Sequence, residues 1–241
     1  MTADETIPAT RWCRHLTRYL KVARAGIDPE GVHQVRVATR RLDTWLLLGG
    51  WRVYRDDLRW LRRKAAAVRD LDVLLLRKKL PRPLRATLTA RKRELQAEFN
   101  VACDDPRLSA LMVGIGVLPP IQAGEIRKPL WKLFEAVMDC GRTIENDSGD
   151  IDSFHRLRRA LRRLRYGAEL VGASTAPLRR LQEVLGNIND LAVALRCLDP
   201  FPREIVPARF RDGLDDELAL SLPLARALWM DEKDAIKKMM N

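Results

Sequence analysis

The sequence has no close pair of cysteines. Cys13, Cys103, Cys140 and Cys197 lie far apart, which excludes a small disulfide-stapled scaffold and suits reduced, partly buried thiols in a cytoplasmic protein. The three histidines, His15, His33 and His155, stand at no standard zinc spacing, so neither a metal nor another cofactor is expected. Long apolar runs are missing as well. The best candidate, Leu108 to Ile121, is 14 residues and carries Pro119-Pro120 near its end, short of the roughly 18 that a membrane helix needs. The acidic start, Met-Thr-Ala-Asp-Glu, lacks the basic-then-apolar order of an export signal. No G-x-x-x-x-G-K-[ST] loop is present, and no aromatic stacking motif, zinc finger or recognition helix of a nucleic-acid binder. The few aromatic residues, 6% of the chain, read as core.

Acids are also scarce. Against 32 Asp and Glu stand 44 Lys and Arg, a formal charge of +12, and 34 of the 44 are arginine. The guanidinium fork matches carboxylate and phosphate oxygens, so an acidic partner is expected. With 46% hydrophobic residues and 241 residues in all, the chain can bury one large core or two small ones. Apolar spacing is helical nearly throughout, and no window alternates as a strand should. Helices are predicted over about Pro8–Ala25, Pro29–Gly49, Tyr54–Leu80 and Pro83–Val101, with a shorter one after Asp105. Val117 to Glu125 reads as a linker. Further helices are predicted over Arg127–Ile144, Asp150–Val171 and Thr175–Leu198, and again after Pro223, with Pro200, Pro202 and Pro207 breaking the chain between. The fold class is all-α.

Two blocks of sequence recur in the same order. HQVRVATRRL from His33 matches HRLRRALRRL from His155, an offset of 155 − 33 = 122. LRWLRRKAAAVRDLDVLL from Leu58 aligns without a gap on LRRLQEVLGNINDLAVAL from Leu178, which places Asp70 on Asp190. The chain is read as a duplication, residues 1–120 and 121–241 each forming one helical repeat.

At about 100° per residue, His33, Arg36 and Arg40 share one face of a helix, while Val35, Ala38, Leu42 and Trp45 share the other. His155, Arg158, Arg162 and Arg165 form the same kind of row. Between His155 and Arg165 stand six arginines in eleven residues and no acid. Like charges three and four residues apart repel, so the row implies a polyanionic ligand that supplies the missing charge. Asp70 and Asp190 are each expected to orient an arginine or histidine of the preceding helix; a general base or metal ligand is the alternative.

The blocks VHQVRVATRRL, RDLDVLL, FHRLRRALRRLRYGAEL and LQEVLGNINDLAV, in that order, resemble the CHAD domain (conserved histidine α-helical domain) from Gly31 to Leu198 at least. The resemblance implies two tandem four-helix bundles related by a pseudo-two-fold internal duplication, with a basic cavity or channel between them that binds inorganic polyphosphate. Carried over by residue, it makes both rows candidate ligand contacts, Arg165 included, and adds Arg41 and Arg163 to them. Lys64, Arg69, Arg14 and Arg18 are secondary candidates. It further implies a non-catalytic module, with a phosphate-processing enzyme or a polyphosphate granule as possible company; RNA or DNA binding is the rival reading. Two departures weaken one half or the other. Asp43 stands where the second copy has Arg165, and Asn189 where the first has Arg69.

Overall fold

The computed structural model describes residues 5–146 and 150–240, and among these it contains nine helices and two two-residue strands. The chain divides into two compact units. An N-terminal unit is built on Thr6–Ile121 together with Glu204–Val206, and a C-terminal unit on Gln122–Arg203 and Pro207–Asn241.

In the N-terminal unit, α1 (Thr10–Ala25), α2 (Pro29–Leu48), α3 (Arg55–Leu75) and α4 (Arg82–Asp104) pack in a ring, each on the next and α4 back on α1. A fifth helix, α5 (Pro106–Gly116), lies against α1, α3 and α4. The core is the predicted apolar stripe of α2 (Val35, Ala38, Leu42, Trp45) closed over by Leu16, Leu58, Leu61, Val68 and Phe99, all without solvent exposure. Side chains of this kind stabilise a fold by about 1.5–3 kcal/mol each when fully buried. Gly31 is needed where α2 crosses α1: a Cβ there would sit 2.5 Å from the Ala23 amide nitrogen. Trp45 donates its indole N–H to the Ile7 carbonyl at 2.8 Å, which holds β1 (Thr6–Ile7) for pairing with β2 (Ile121–Gln122).

The C-terminal unit has the same cyclic order of neighbours, with α6 (Ala123–Asn146), α7 (Ile151–Leu170), α8 (Ala176–Leu198) and α9 (Ala208–Met240). Its core gathers Val137, Ile144, Phe154, Leu157, Leu164, Leu181, Ile188 and Trp229, again with no exposure above 1%. Trp229 lies flat against Gly141 and donates to Glu145 Oε1 at 2.7 Å. A Cβ at residue 141 would stand 1.8 Å from the indole ring. Helix propensity alone favours Gly141→Ala by about 1 kcal/mol, but forcing the ring aside costs about 1–3 kcal/mol. The expected result is a net loss of up to about 2 kcal/mol, read as a lower urea midpoint at unchanged slope. A gain would show that the tryptophan has room to move.

Several sequence expectations need correction. Val117–Glu125 is not wholly a linker, because Ile121–Gln122 pairs as a strand and α6 already begins at Ala123. α3 stops at Leu75 rather than Leu80. The last helix begins at Ala208, and Pro223 lies inside it. Pro223 is exposed, as is Ala219, the residue whose carbonyl loses its helical donor, so water can satisfy that group. The apolar row Leu214, Leu218, Ala225, Trp229 and Ile236 runs straight through the proline. Nor are the aromatics uniformly core: Trp45 and Trp229 are fully buried, whereas Trp131 is 42% exposed.

Candidate functional site

In the N-terminal unit the site is built on α2 and α3. Asp28 caps α2 by accepting from the Glu30 amide at 2.8 Å, and Pro29 occupies the first turn, where its missing N–H costs nothing. With the apolar stripe of α2 facing inward, His33, Arg36 and Arg40 are left on the opposite side, all half-buried. α3 brings Arg69 to His33 and Asp70 to Arg36, the latter at 3.6 Å between Nη1 and Oδ1. Burial lowers the His33 pKa from its ordinary value, and Arg69, Arg40 and Arg36 lower it further against the opposing pull of Glu30. The shift favours the neutral ring in a field of guanidinium groups.

Asp43 does not project a negative charge into this row. It is buried, with Arg55 Nε at 2.8 Å and Arg62 at 3.9 Å, so its charge is neutralised within the α2–α3 seam. Asp72, the second acid of the RDLD block, is likewise buried and pairs with Lys92 of α4 at 2.6 Å. Arg41 turns away from the row and lies 4.2 Å from the centre of the Trp12 ring on α1. Lys64 faces α4, where Glu98 lies 3.6 Å away. Arg14 and Arg18 are exposed on α1, Arg18 over its own neighbour Tyr19.

The C-terminal unit builds its site on α7 and α8. Asp150 caps α7 by accepting from the Ser153 amide at 2.8 Å. His155, Arg158 and Arg162 then fall at successive turns, half-buried. Burial again lowers the histidine's pKa; Arg196 and Arg158 add to the effect, with Arg159 behind them, and Asp152 opposes it. Arg196 was not among the residues singled out from sequence. The signal was present: it lies seven residues after Asn189, hence on the same stripe of α8, and supplies a cation where Asn189 cannot. Arg165 is held by Glu169 at 3.3 Å and over Tyr166, and Arg163 is exposed. Asp190 accepts from the side-chain amide of Asn189 at 3.2 Å.

Each unit thus presents one histidine with its pKa lowered by burial and then by arginines contributed from two adjacent helices. Chemically, such a face is an array of hydrogen-bond donors with excess positive charge. Among the described residues no three or more His, Cys, Asp or Glu side chains gather as a metal site would need. All four cysteines are free thiols, and among the described residues no helix is long and apolar enough to cross a membrane.

Solved structures similar to the chain include the CHAD domain from the plant Ricinus communis, 24% identical, with a TM-score of 0.68 over 100% of this chain and 93% of that one. PptA from Streptomyces chartreusis is 16% identical, with a TM-score of 0.63 over 96% of this chain and 94% of that one. Both likenesses concern the fold. No curated protein matches the sequence. The CHAD domain sequence profile matches residues 10–199, most of the chain and both histidine–arginine rows, and the protein belongs to the CHAD domain family.

Proposed function

We propose that this protein binds inorganic polyphosphate through the α2–α3 and α7–α8 faces of its two units and does not turn it over. The observation that carries the reading is the pair of half-buried histidines, His33 and His155, each set among arginines from two helices. That surplus of positive charge is costly in the empty protein and is relieved by a ligand with closely spaced negative charge. Polyphosphate carries about one charge per phosphate and has no base to read, so guanidinium forks on non-bridging oxygens suffice. Arg36, Arg40 and Arg69 would make such contacts in one unit, and Arg158, Arg162 and Arg196 in the other. A module of this kind holds the polymer for a phosphate-processing enzyme or within a cytoplasmic granule.

The test is calorimetric titration with long-chain polyphosphate at about 0.15 M salt, where the screening length is only about 8 Å and diffuse attraction is weak. Single-stranded RNA at the same phosphate concentration runs beside it. Polyphosphate is expected to bind at least about tenfold more tightly, since RNA spaces its charges farther apart along the chain. Equal affinity would mean generic polyanion attraction and would return the question to nucleic acid.

A further inference from the structure

Where α7 begins, the C-terminal unit has a cavity of about 330 Å³ that an inorganic chain does not account for. Its walls are aliphatic and come from three helices: Ile151 of α7, Ala192 and Leu195 of α8, and Leu218 of α9. His155 and Arg196 form its basic side, and Asp152 stands at its edge. Asp150, which also lines it, is already spent as the cap of α7. Bare phosphate gains nothing from aliphatic walls, and a carboxylate at the rim repels it. An organic group gains from both, because its apolar faces leave water and its hydroxyl or amino hydrogens can be donated to Asp152.

Resting on the polyphosphate reading above, we infer that this cavity takes the nucleoside end of a nucleoside polyphosphate. The phosphates then run along His155, Arg196 and Arg158, and the base lies between Ile151, Leu195 and Leu218. The volume is at the lower end of the range for small-molecule pockets, which suits a single nucleoside and no larger group. Arg158 lies one turn beyond His155 on the same face of α7, so the basic row begins at the mouth of the cavity.

The experiment compares adenosine triphosphate with inorganic tripolyphosphate, two ligands of nearly equal charge, by titration without added metal ions. Long-chain polyphosphate is titrated in parallel. The wild-type protein is expected to bind the nucleotide about tenfold more tightly than tripolyphosphate. Ala192→Met fills the cavity and should remove that advantage while leaving tripolyphosphate within about twofold. Asp152→Asn lies on the exposed first turn of α7 and does not touch the core. It should weaken the nucleotide and strengthen tripolyphosphate, an opposite pair of shifts that misfolding cannot produce. A nucleotide that binds no more tightly than tripolyphosphate overturns the inference, as does an advantage that survives both substitutions. If long-chain polyphosphate still binds in that case, the function proposed above stands; if it does not, that reading falls as well.

Discussion

Replacing Arg158 and Arg162 together by alanine is expected to weaken polyphosphate binding by about a hundredfold or more at physiological salt. Hydrogen bonds to charged groups contribute about 1.5–3 kcal/mol each, and the hundredfold figure corresponds to about 2.7 kcal/mol, just under the minimum of about 3 kcal/mol for two of them. The fold should tolerate the change, because the two side chains are like charges four residues apart on α7 and both lie opposite its buried stripe of Phe154, Leu157, Leu161 and Leu164. Net charge falls by two, so a matched control is required. Arg91 and Arg142 are exposed and paired locally, with Glu94 at 2.6 Å and with Asp139 respectively. Removing that pair should change affinity by no more than about threefold. The slope of log affinity against log salt should fall by about 1.4 in the site variant if two phosphate contacts are lost from a single-stranded polyanion. An equal loss in the control would show that overall charge, rather than the α7 row, attracts the ligand.

How much of this was legible in the sequence depended on whether a local rule competed with a longer-range one. The apolar period placed every helix of the two rings except the first half of α9, and α2 and α7 begin at Pro29 and Ile151, next to the caps Asp28 and Asp150. At Pro223 the local rule, that proline breaks a helix, lost to an apolar stripe that packs the residues on both sides against α6 and α8. β1 and β2 were beyond period analysis because two residues carry no alternation. For the site, helical geometry correctly grouped His33, Arg36 and Arg40 on one face, since that depends only on spacing within one element. What it could not show is what a second element places against each side chain. Arg41 is adjacent to Arg40 in sequence, yet Trp12 of α1 captures it; Lys64 meets Glu98 of α4; Asp43 is enclosed by Arg55 and Arg62. Arg196 escaped notice for the same reason, as it joins the site only because α8 ends where α7 begins its row. The blocks recur at offsets of 122 and 120, and the two units have the same cyclic order of helix neighbours.

Lowering the pH from 8 to 6 is expected to tighten polyphosphate binding by about tenfold in total, through two rings that gain protons as the ligand arrives. In the empty protein both rings are held below their ordinary pKa, His33 by burial and then Arg69, Arg40 and Arg36, His155 by burial and then Arg196, Arg158 and Arg159. Glu30 and Asp152 oppose these shifts without reversing them. Asp70 also faces the first ring's neighbourhood but is turned to Arg36. A phosphate oxygen against either ring neutralises the surrounding guanidinium charge and raises that pKa, so binding takes up protons and strengthens as they become available. The stability of the empty fold moves the other way. A histidine whose folded pKa lies below its unfolded value of 6.5 binds fewer protons folded than unfolded. The stability it leaves in place above pH 6.5 is therefore lost as the pH falls through that value, until the folded pKa is passed. Acid should thus lower the melting temperature of the empty protein while raising its affinity, and the ligand should protect it more at pH 6 than at pH 8. Substituting both His33 and His155 by glutamine flattens the affinity profile and the acid limb of the stability profile together, because one pair of groups governs both. An affinity profile already flat in the wild type would mean that neither ring meets the phosphate, leaving the arginines as the whole of the site.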